Sequence, residues 1–313
     1  MKRLSRIAVL PCLAAALVCA DWSASIQAQE AKPTFRASVA LVPITAAVRD
    51  SRNRVVRGLT KNDFDVLENS QRREIVDFVA SNDAALSLAV VADTSGSMRG
   101  RNWERANDFV DELLNRMTRP DDEVALFTFD KRLRQETPFT TDRDSVLDAL
   151  RSVEAWGQTS LYDAVAEAAK RVAERSGQRR AVIVITDGID TSSAMSASEV
   201  SAIAGAIDVP VYAVAVEPTM RPDNASPDGQ AGLAQLAAWT GGDVSHLGAG
   251  ETGGLDRAIN ALVSELRQQY FLAIQSDSTT GGWHRIDVKT RRRDLTVRAR
   301  MGYFAANSSG EHH

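Results

Sequence analysis

The segment Asp93-Thr94-Ser95-Gly96-Ser97 follows the apolar run Ala89-Val90-Val91-Ala92 without a break and leads into an amphipathic stretch. Alternation along the chain puts Asp93, Ser95 and Ser97 together, one carboxylate and two hydroxyls, and Gly96 between them permits a tight bend. These are hard oxygen donors, suited to Mg²⁺ or Mn²⁺ and poor for zinc or copper. The plainer use of the same residues is to cap the following helix at or near Ser97. Two more polar segments stand at similar junctions. Gly157-Gln158-Thr159-Ser160-Leu161-Tyr162-Asp163-Ala164 opens a helical stretch, and Val184-Ile185-Thr186-Asp187-Gly188 ends a second apolar run.

Other chemistries lack their residues. The four histidines, His246, His284, His312 and His313, show no paired metal-ligand spacing. A serine hydrolase calls for a GxSxG elbow, which Thr94-Ser95-Gly96-Ser97 does not supply. Neither GxxxxGK[ST] nor a GxGxxG in the first strand–helix turn is present, which argues against a bound nucleotide. Lys and Arg total 37 against 41 Asp and Glu, a net charge of −4, so no general affinity for nucleic acid is expected. The densest basic run, Arg291-Arg292-Arg293, lies between Asp287 and Asp294 and reads as a solvated strand end. Asn224-Ala225-Ser226 and Asn307-Ser308-Ser309 fit a glycan-acceptor triplet, a pattern common by chance.

The elements that must position the three polar segments are those of an α/β protein. Leu86–Ala92, Val124–Phe129, Ala181–Ile185 and Val209–Val216 are nearly continuous apolar runs, as expected of strands buried on both faces. Between them, Trp103, Ala106, Phe109, Val110, Leu113, Leu114 and Met117 fall at helical spacing, as do Leu161, Ala164, Val165, Ala168, Ala169 and Val172. Weaker helical signals cover 144–154, 197–206, 230–239 and 254–268. The alternation implies a doubly wound, mainly parallel, Rossmann-like sheet flanked by helices, with ligands at the carboxyl ends of its strands.

Strand-type sequence brackets this unit. Before it come 36–48, Val55-Val56, a capped turn at Thr60–Asp63, Phe64–Leu67 and Ile75–Val79. After it come Tyr270–Ile274, a turn at Ser278–Gly282, Ile286–Lys289 and Leu295–Arg298. The economical reading is a small β-sandwich-like domain made from residues 36–82 and 268–305, with an α/β domain over 84–265 inserted in it and a short tail at 306–313.

The first residues read as a secretory leader. Lys2, Arg3 and Arg6 precede an apolar run from Ile7 to Ala20, too short for the roughly 20 residues of a membrane span. Cleavage after Ala20 or after Ala28 fits, and Ala28 is preferred, giving a leader over 1–28 and no integral span in the mature chain. Acylation at Cys19 is disfavoured by the bulky Val18. Both cysteines, Cys12 and Cys19, fall in the leader, so the mature chain has no thiol chemistry and no disulfide. Loss of Lys2, Arg3, Arg6 and Asp21 with it would take the net charge from −4 to −6. The expected location is the periplasm, the medium or the cell surface.

Taken together, Asp93-Thr94-Ser95-Gly96-Ser97, the Thr159 loop and Thr186-Asp187-Gly188 resemble the metal-ion-dependent adhesion site of von Willebrand factor A domains, over roughly 84–265. The resemblance implies Ser95, Ser97 and Thr159 as direct ligands of Mg²⁺, with Mn²⁺ or Ca²⁺ as alternatives, and Asp93 and Asp187 acting mainly through water. Asp163 and Asp190 are candidates to hydrogen-bond the site from behind. Neutral hydroxyls leave the cation under-compensated, so a partner protein presenting an Asp or Glu carboxylate is implied. The flanks, Phe64-Asp65-Val66-Leu67-Glu68-Asn69 and Arg298-Ala299-Arg300-Met301-Gly302-Tyr303, resemble a bacterial group of exported proteins described as VWFA-related. The function implied is a non-enzymatic, metal-dependent adhesion module. A metal-assisted hydrolase and a scaffold whose metal only stabilises the fold are the alternatives.

Overall fold

The computed structural model describes residues 40–80, 84–176, 179–206, 208–216, 228–248, 253–276 and 281–305. The leader, Asn224, Asn307, the tail at 306–313 and most of the turn at Ser278–Gly282 lie outside them. Among the described residues four strands come first: β1 (Ala40–Asp50), β2 (Phe64–Glu68), β3 (Gln71–Arg73) and β4 (Ile75–Val79). The α/β region follows, beginning with β5 (Leu86–Asp93), α1 (Arg101–Arg116), β6 (Glu123–Phe129) and β7 (Leu133–Thr140). Next come α2 (Arg143–Ser152), α3 (Leu161–Ala173), β8 (Arg179–Thr186) and α4 (Ala197–Ala206). It closes with β9 (Val211–Val216), α5 (Asp228–Thr240), β10 (Val244–Leu247) and α6 (Gly254–Arg267). The last four strands among the described residues are β11 (Tyr270–Ser276), β12 (Gly282–Thr290), β13 (Leu295–Ala299) and β14 (Gly302–Ala305).

The central sheet has the order β10-β9-β8-β5-β6-β7, parallel throughout except for β7 at one edge. Alternate side chains of each inner strand enter different cores, which explains the unbroken apolar runs. Leu86, Leu88 and Val90 pack with α1, α2 and α6, whereas Ala89 and Val91 pack with α3, α4 and α5. The connection leaving β5 enters α1 on the first face, and the one leaving β8 leads to α4 on the second. The crevice between β5 and β8 is therefore the topological switch point, where open α/β sheets bind ligands.

The two chain ends intermix in two antiparallel sheets, β13-β1-β11-β4 and β14-β12-β2-β3. One apolar core serves both: Val42, Ile44 and Leu272 from the first sheet meet Phe64, Val66 and Ile286 from the second. Buried residues alternate with half-exposed ones in β2 and β11, the signature of strands with one face in a core. The flank motifs meet inside this core. Glu68 accepts from the Tyr303 hydroxyl at 2.5 Å, Ser276 Oγ at 2.7 Å and Arg73 Nε at 2.7 Å. Burial would raise this carboxyl, and the three donors hold it below its ordinary value.

Buried ion pairs tie these sheets to the central one. Glu265 on α6 is fully buried and accepts from Arg49 Nε of β1 at 2.7 Å, from the Tyr212 hydroxyl of β9 at 2.9 Å and from Arg298 of β13. Arg300, also buried, reaches the carbonyls of Gly205 and Pro43 and lies 3.5 Å from Asp208.

The expected elements form with small shifts of their ends, and the turn at Thr60–Asp63 is a capped 3-10 turn. Val55-Val56 gives one isolated bridge to Arg49 and no strand. Four strands were not among those read from the sequence: the polar β3, the Pro138-containing edge strand β7, and the four-residue β10 and β14. His246 lies on β10, and His284 on β12 is buried against Tyr303 with its ring centroid at 5.2 Å. In the β12–β13 turn, Arg291 pairs with Asp65 and Arg292 with Asp294, as a solvated strand end should. No helix among the described residues is long and apolar enough to cross a membrane.

Candidate metal centre

Asp93 ends β5 and Thr186 ends β8, side by side at the switch point. Asp93 has no exposed surface. Its Oδ2 accepts from the Thr186 hydroxyl at 2.6 Å and its Oδ1 from the Ser95 N–H at 2.8 Å. Ser95 Oγ then lies 3.1 Å from Ser97 Oγ. Ser95 is buried and Ser97 exposed, so the cluster opens to solvent on the Ser97 side.

Ser97 does not cap the helix, because α1 begins after Gly100. Its carbonyl accepts from Asn102 Nδ2 at 3.1 Å, which leaves the hydroxyl to the cluster. The tight bend forms, with Met98 N–H donating to Ser95 O at 3.1 Å, but it does not require a glycine. Gly96 begins a 3-10 turn over Gly96–Met98, and a Cβ there would meet nothing nearer than Gly157 O at 3.8 Å. The glycine requirement falls on Gly157 instead, which has φ +127° and where a Cβ would lie 2.9 Å from Asp130 Cβ.

The Thr159 loop is held against the other two loops by its backbone. Gly96 N–H donates to Gly157 O at 3.1 Å, and Trp156 N–H donates to Thr94 O at 2.5 Å. On the far side Thr159 N–H donates to Thr191 Oγ1 at 3.0 Å, and Thr159 O accepts from the N–H groups of Thr191 and Ser192, each at 3.0 Å. Asp163 and Asp190 bolt the same two segments together. Asp163 accepts from Ala194 N–H at 2.9 Å and Met195 N–H at 3.0 Å, while Asp190 Oδ1 accepts from Leu161 N–H at 2.8 Å. Both positions thus fix the loops that carry Thr159 and Asp187.

Asp187 is 5% exposed; its Oδ1 accepts from Ile189 N–H at 3.1 Å, and its buried Oδ2 has no hydrogen-bond partner among the described residues. Burial raises its carboxyl, drawn partly back by the nearby Ser97 hydroxyl and by Ile189 N–H. Burial likewise pushes Asp93 up to about 7 despite its donors Thr186 and Ser95, and the Asp187 charge adds to the rise. Neither carboxylate pairs with a Lys or Arg among the described residues. Two buried acids, one with an orphaned oxygen, beside two hydroxyls 3.1 Å apart are what a bound divalent cation would compensate. The donor set fits a hard cation. No group of three or more His, Cys, Asp or Glu side chains converges among the described residues. Hydroxyl donors are therefore integral to any metal site here.

Asp93, Ser95, Ser97 and Asp187 thus form one cluster, with the buried Thr159 brought beside it through Gly157 and Gly96. Thr186, Thr191 and Ser192 also support the site, without a role expected for them from sequence. Thr186 was open to inference, since it ends the strand paired with β5.

Residues 88–189 match the family model of the von Willebrand factor type A domain. Among solved structures, the chain is similar to an aerotolerance-related membrane protein from Bacteroides fragilis. That match has 19% identity and a TM-score of 0.47, covering 58% of this chain and 98% of that one. It is also similar to the conserved hypothetical protein BatB from Bacteroides thetaiotaomicron, at 19% identity, TM-score 0.49 and the same two coverages. A third is proximal thread matrix protein 1 from the mussel byssus, described with a zinc-occupied MIDAS motif. It shows 18% identity and a TM-score of 0.49 over 63% of this chain and 48% of that one. The family match thus marks residues 88–189, about a third of the chain, as similar to a von Willebrand factor type A domain.

Proposed function

We propose that the chain is an exported, divalent-metal-dependent protein-binding module. Its metal site would be formed by Asp93, Ser95, Ser97, Thr159 and Asp187, with Asp163 and Asp190 holding the loops from behind. The observation that carries this reading is the buried Asp187 Oδ2, without a hydrogen-bond partner among the described residues, beside the buried Asp93, which pairs with no Lys or Arg among them. Ser95, Ser97 and Thr159 are the candidate direct ligands of Mg²⁺, with Mn²⁺ or Ca²⁺ as alternatives. A bound cation of this kind would supply an electrophilic coordination position for an Asp or Glu carboxylate of a partner protein. We assign the binding domain to 84–265 and a β-sandwich-like companion domain to 36–82 and 268–305, behind a leader over 1–28.

Binding is favoured over catalysis by how Asp93 is held. The acid whose carboxyl sits near 7 is fully buried and clasped by Thr186 and Ser95, out of reach of a substrate proton. Two measurements test the reading. Calorimetric titration of Mg²⁺ should give a single binding heat that weakens at least tenfold in Thr159→Ala, the effect of losing one of few ligands. Pull-downs from the native envelope in Mg²⁺ and in EDTA should recover different partners, and identical sets would refute metal-dependent binding.

A further inference from the structure

Beside the candidate metal site stands a second feature that the site itself does not use. Trp156 is 72% exposed, the most exposed large apolar side chain among the described residues. Its main chain is nevertheless fixed, because the Trp156 backbone N–H donates to Thr94 O at 2.5 Å and the next residue, Gly157, accepts from Gly96 N–H. Over its indole, 4.4 Å from the ring centroid, lies the guanidinium of Arg99, two residues beyond Ser97. Arg99 Nε donates to Ala155 O at 3.0 Å. Stacking and that bond set the plane of the guanidinium, and Arg99 pairs with no carboxylate among the described residues. Its two Nη groups thus form an oriented fork on an exposed residue, two positions from the exposed Ser97.

An arginine oriented in this way favours a carboxylate bound through two parallel hydrogen bonds, and a neighbouring indole restricts water around it. Exposed Trp and Arg held rigid are the residue types that dominate binding energy at protein interfaces. The geometry points to Arg99 and Trp156 as a second recognition subsite, which selects partner segments carrying a second Asp or Glu near the acid directed to the metal. This inference rests on the metal-binding reading above. The ligand class is an acidic peptide segment with two carboxylates, one for the metal site and one for the Arg99 fork.

The test uses the full chain and a library of N-acetylated, C-amidated hexapeptides with one fixed Asp and the remaining positions varied. In Mg²⁺ the wild-type protein should retain peptides enriched in a second Asp or Glu, and EDTA should abolish retention. Arg99→Gln should retain peptides in Mg²⁺ with that enrichment lost. Trp156→Ala should lower retention about tenfold with Mg²⁺ uptake by calorimetry unchanged. Equal second-acid enrichment in wild type and Arg99→Gln would overturn the inference. So would Mg²⁺ uptake by wild type without second-acid enrichment, and in that case the metal site would stand alone. Absence of any Mg²⁺ heat would instead overturn the metal-binding reading and this inference with it.

Discussion

Replacing Asp93 by Asn should stabilise the metal-free protein at high pH. Asp93 is fully buried, and its carboxyl is pushed up to about 7 from an unfolded value of 3.8. The folded state therefore holds a proton that the unfolded state releases between those two pH values. Stability from this group is complete below pH 3.8 and is lost as pH rises through about 7. At 1.36 kcal/mol per pH unit, the full loss is about 4 kcal/mol, of which about 2.5 kcal/mol accrues between pH 5 and pH 8. An Asn side chain has nearly the same shape and does not ionise. Its Oδ1 still accepts from Ser95 N–H, while its amide faces the Thr186 hydroxyl, a mismatch worth about 1 kcal/mol at every pH. Urea unfolding in EDTA at pH 5 and pH 8 isolates the charge, because the mismatch cancels in the comparison. The stability of Asp93→Asn relative to wild type should rise by about 2–3 kcal/mol from pH 5 to pH 8. Added Mg²⁺ should reverse the order at pH 8 by stabilising wild type alone. A relative stability that does not change with pH would refute the idea that Asp93 is an uncompensated buried charge.

Further perturbations test the supports of the site. Gly157→Ala forces a Cβ to within 2.9 Å of Asp130 Cβ at φ +127°, so thermal or urea unfolding should show a loss of about 1–3 kcal/mol. Mg²⁺ affinity, read by calorimetry, should fall with it, because Gly157 O holds the Ser95–Ser97 turn. Glu265→Gln leaves Arg49 and Arg298 without their buried anion and should cost about 3–5 kcal/mol in urea unfolding. Metal affinity should be preserved where that variant folds, since Glu265 lies on α6 and not in the three loops.

How much of the molecule was legible follows from how each part is stabilised. The inner strands were plain because both faces of β5 and β8 enter apolar cores, so local composition mirrors burial. Edge strand β7 buries only Thr137 fully, and its Arg134, Gln135 and Glu136 face solvent, so no periodicity marks it. β3 consists of Gln71, Arg72 and Arg73 and exists because Asn69 and Ser70 adopt φ 49° and 68°, a two-residue hairpin turn. The Asn there was the available signal. At the site, Asp93, Ser95 and Ser97 could be read together because they are neighbours in sequence. The bonds from Thr191, Ser192 and Asp190 to the Thr159 loop join residues about thirty positions apart, and only the fold brings them into register. Gly96 begins the bend it suggests, whereas the steric demand for a glycine lies at Gly157 in the opposite loop.

Anomalous scattering from crystals grown with Mn²⁺ is the most direct test of the metal centre. The account predicts one Mn²⁺ peak at the carboxyl ends of β5 and β8, within roughly 2.0–2.6 Å of Ser95 Oγ, Ser97 Oγ and Thr159 Oγ1, with Asp93 and Asp187 behind them. No peak there at saturating Mn²⁺, or a peak bound only elsewhere on the chain, would contradict it.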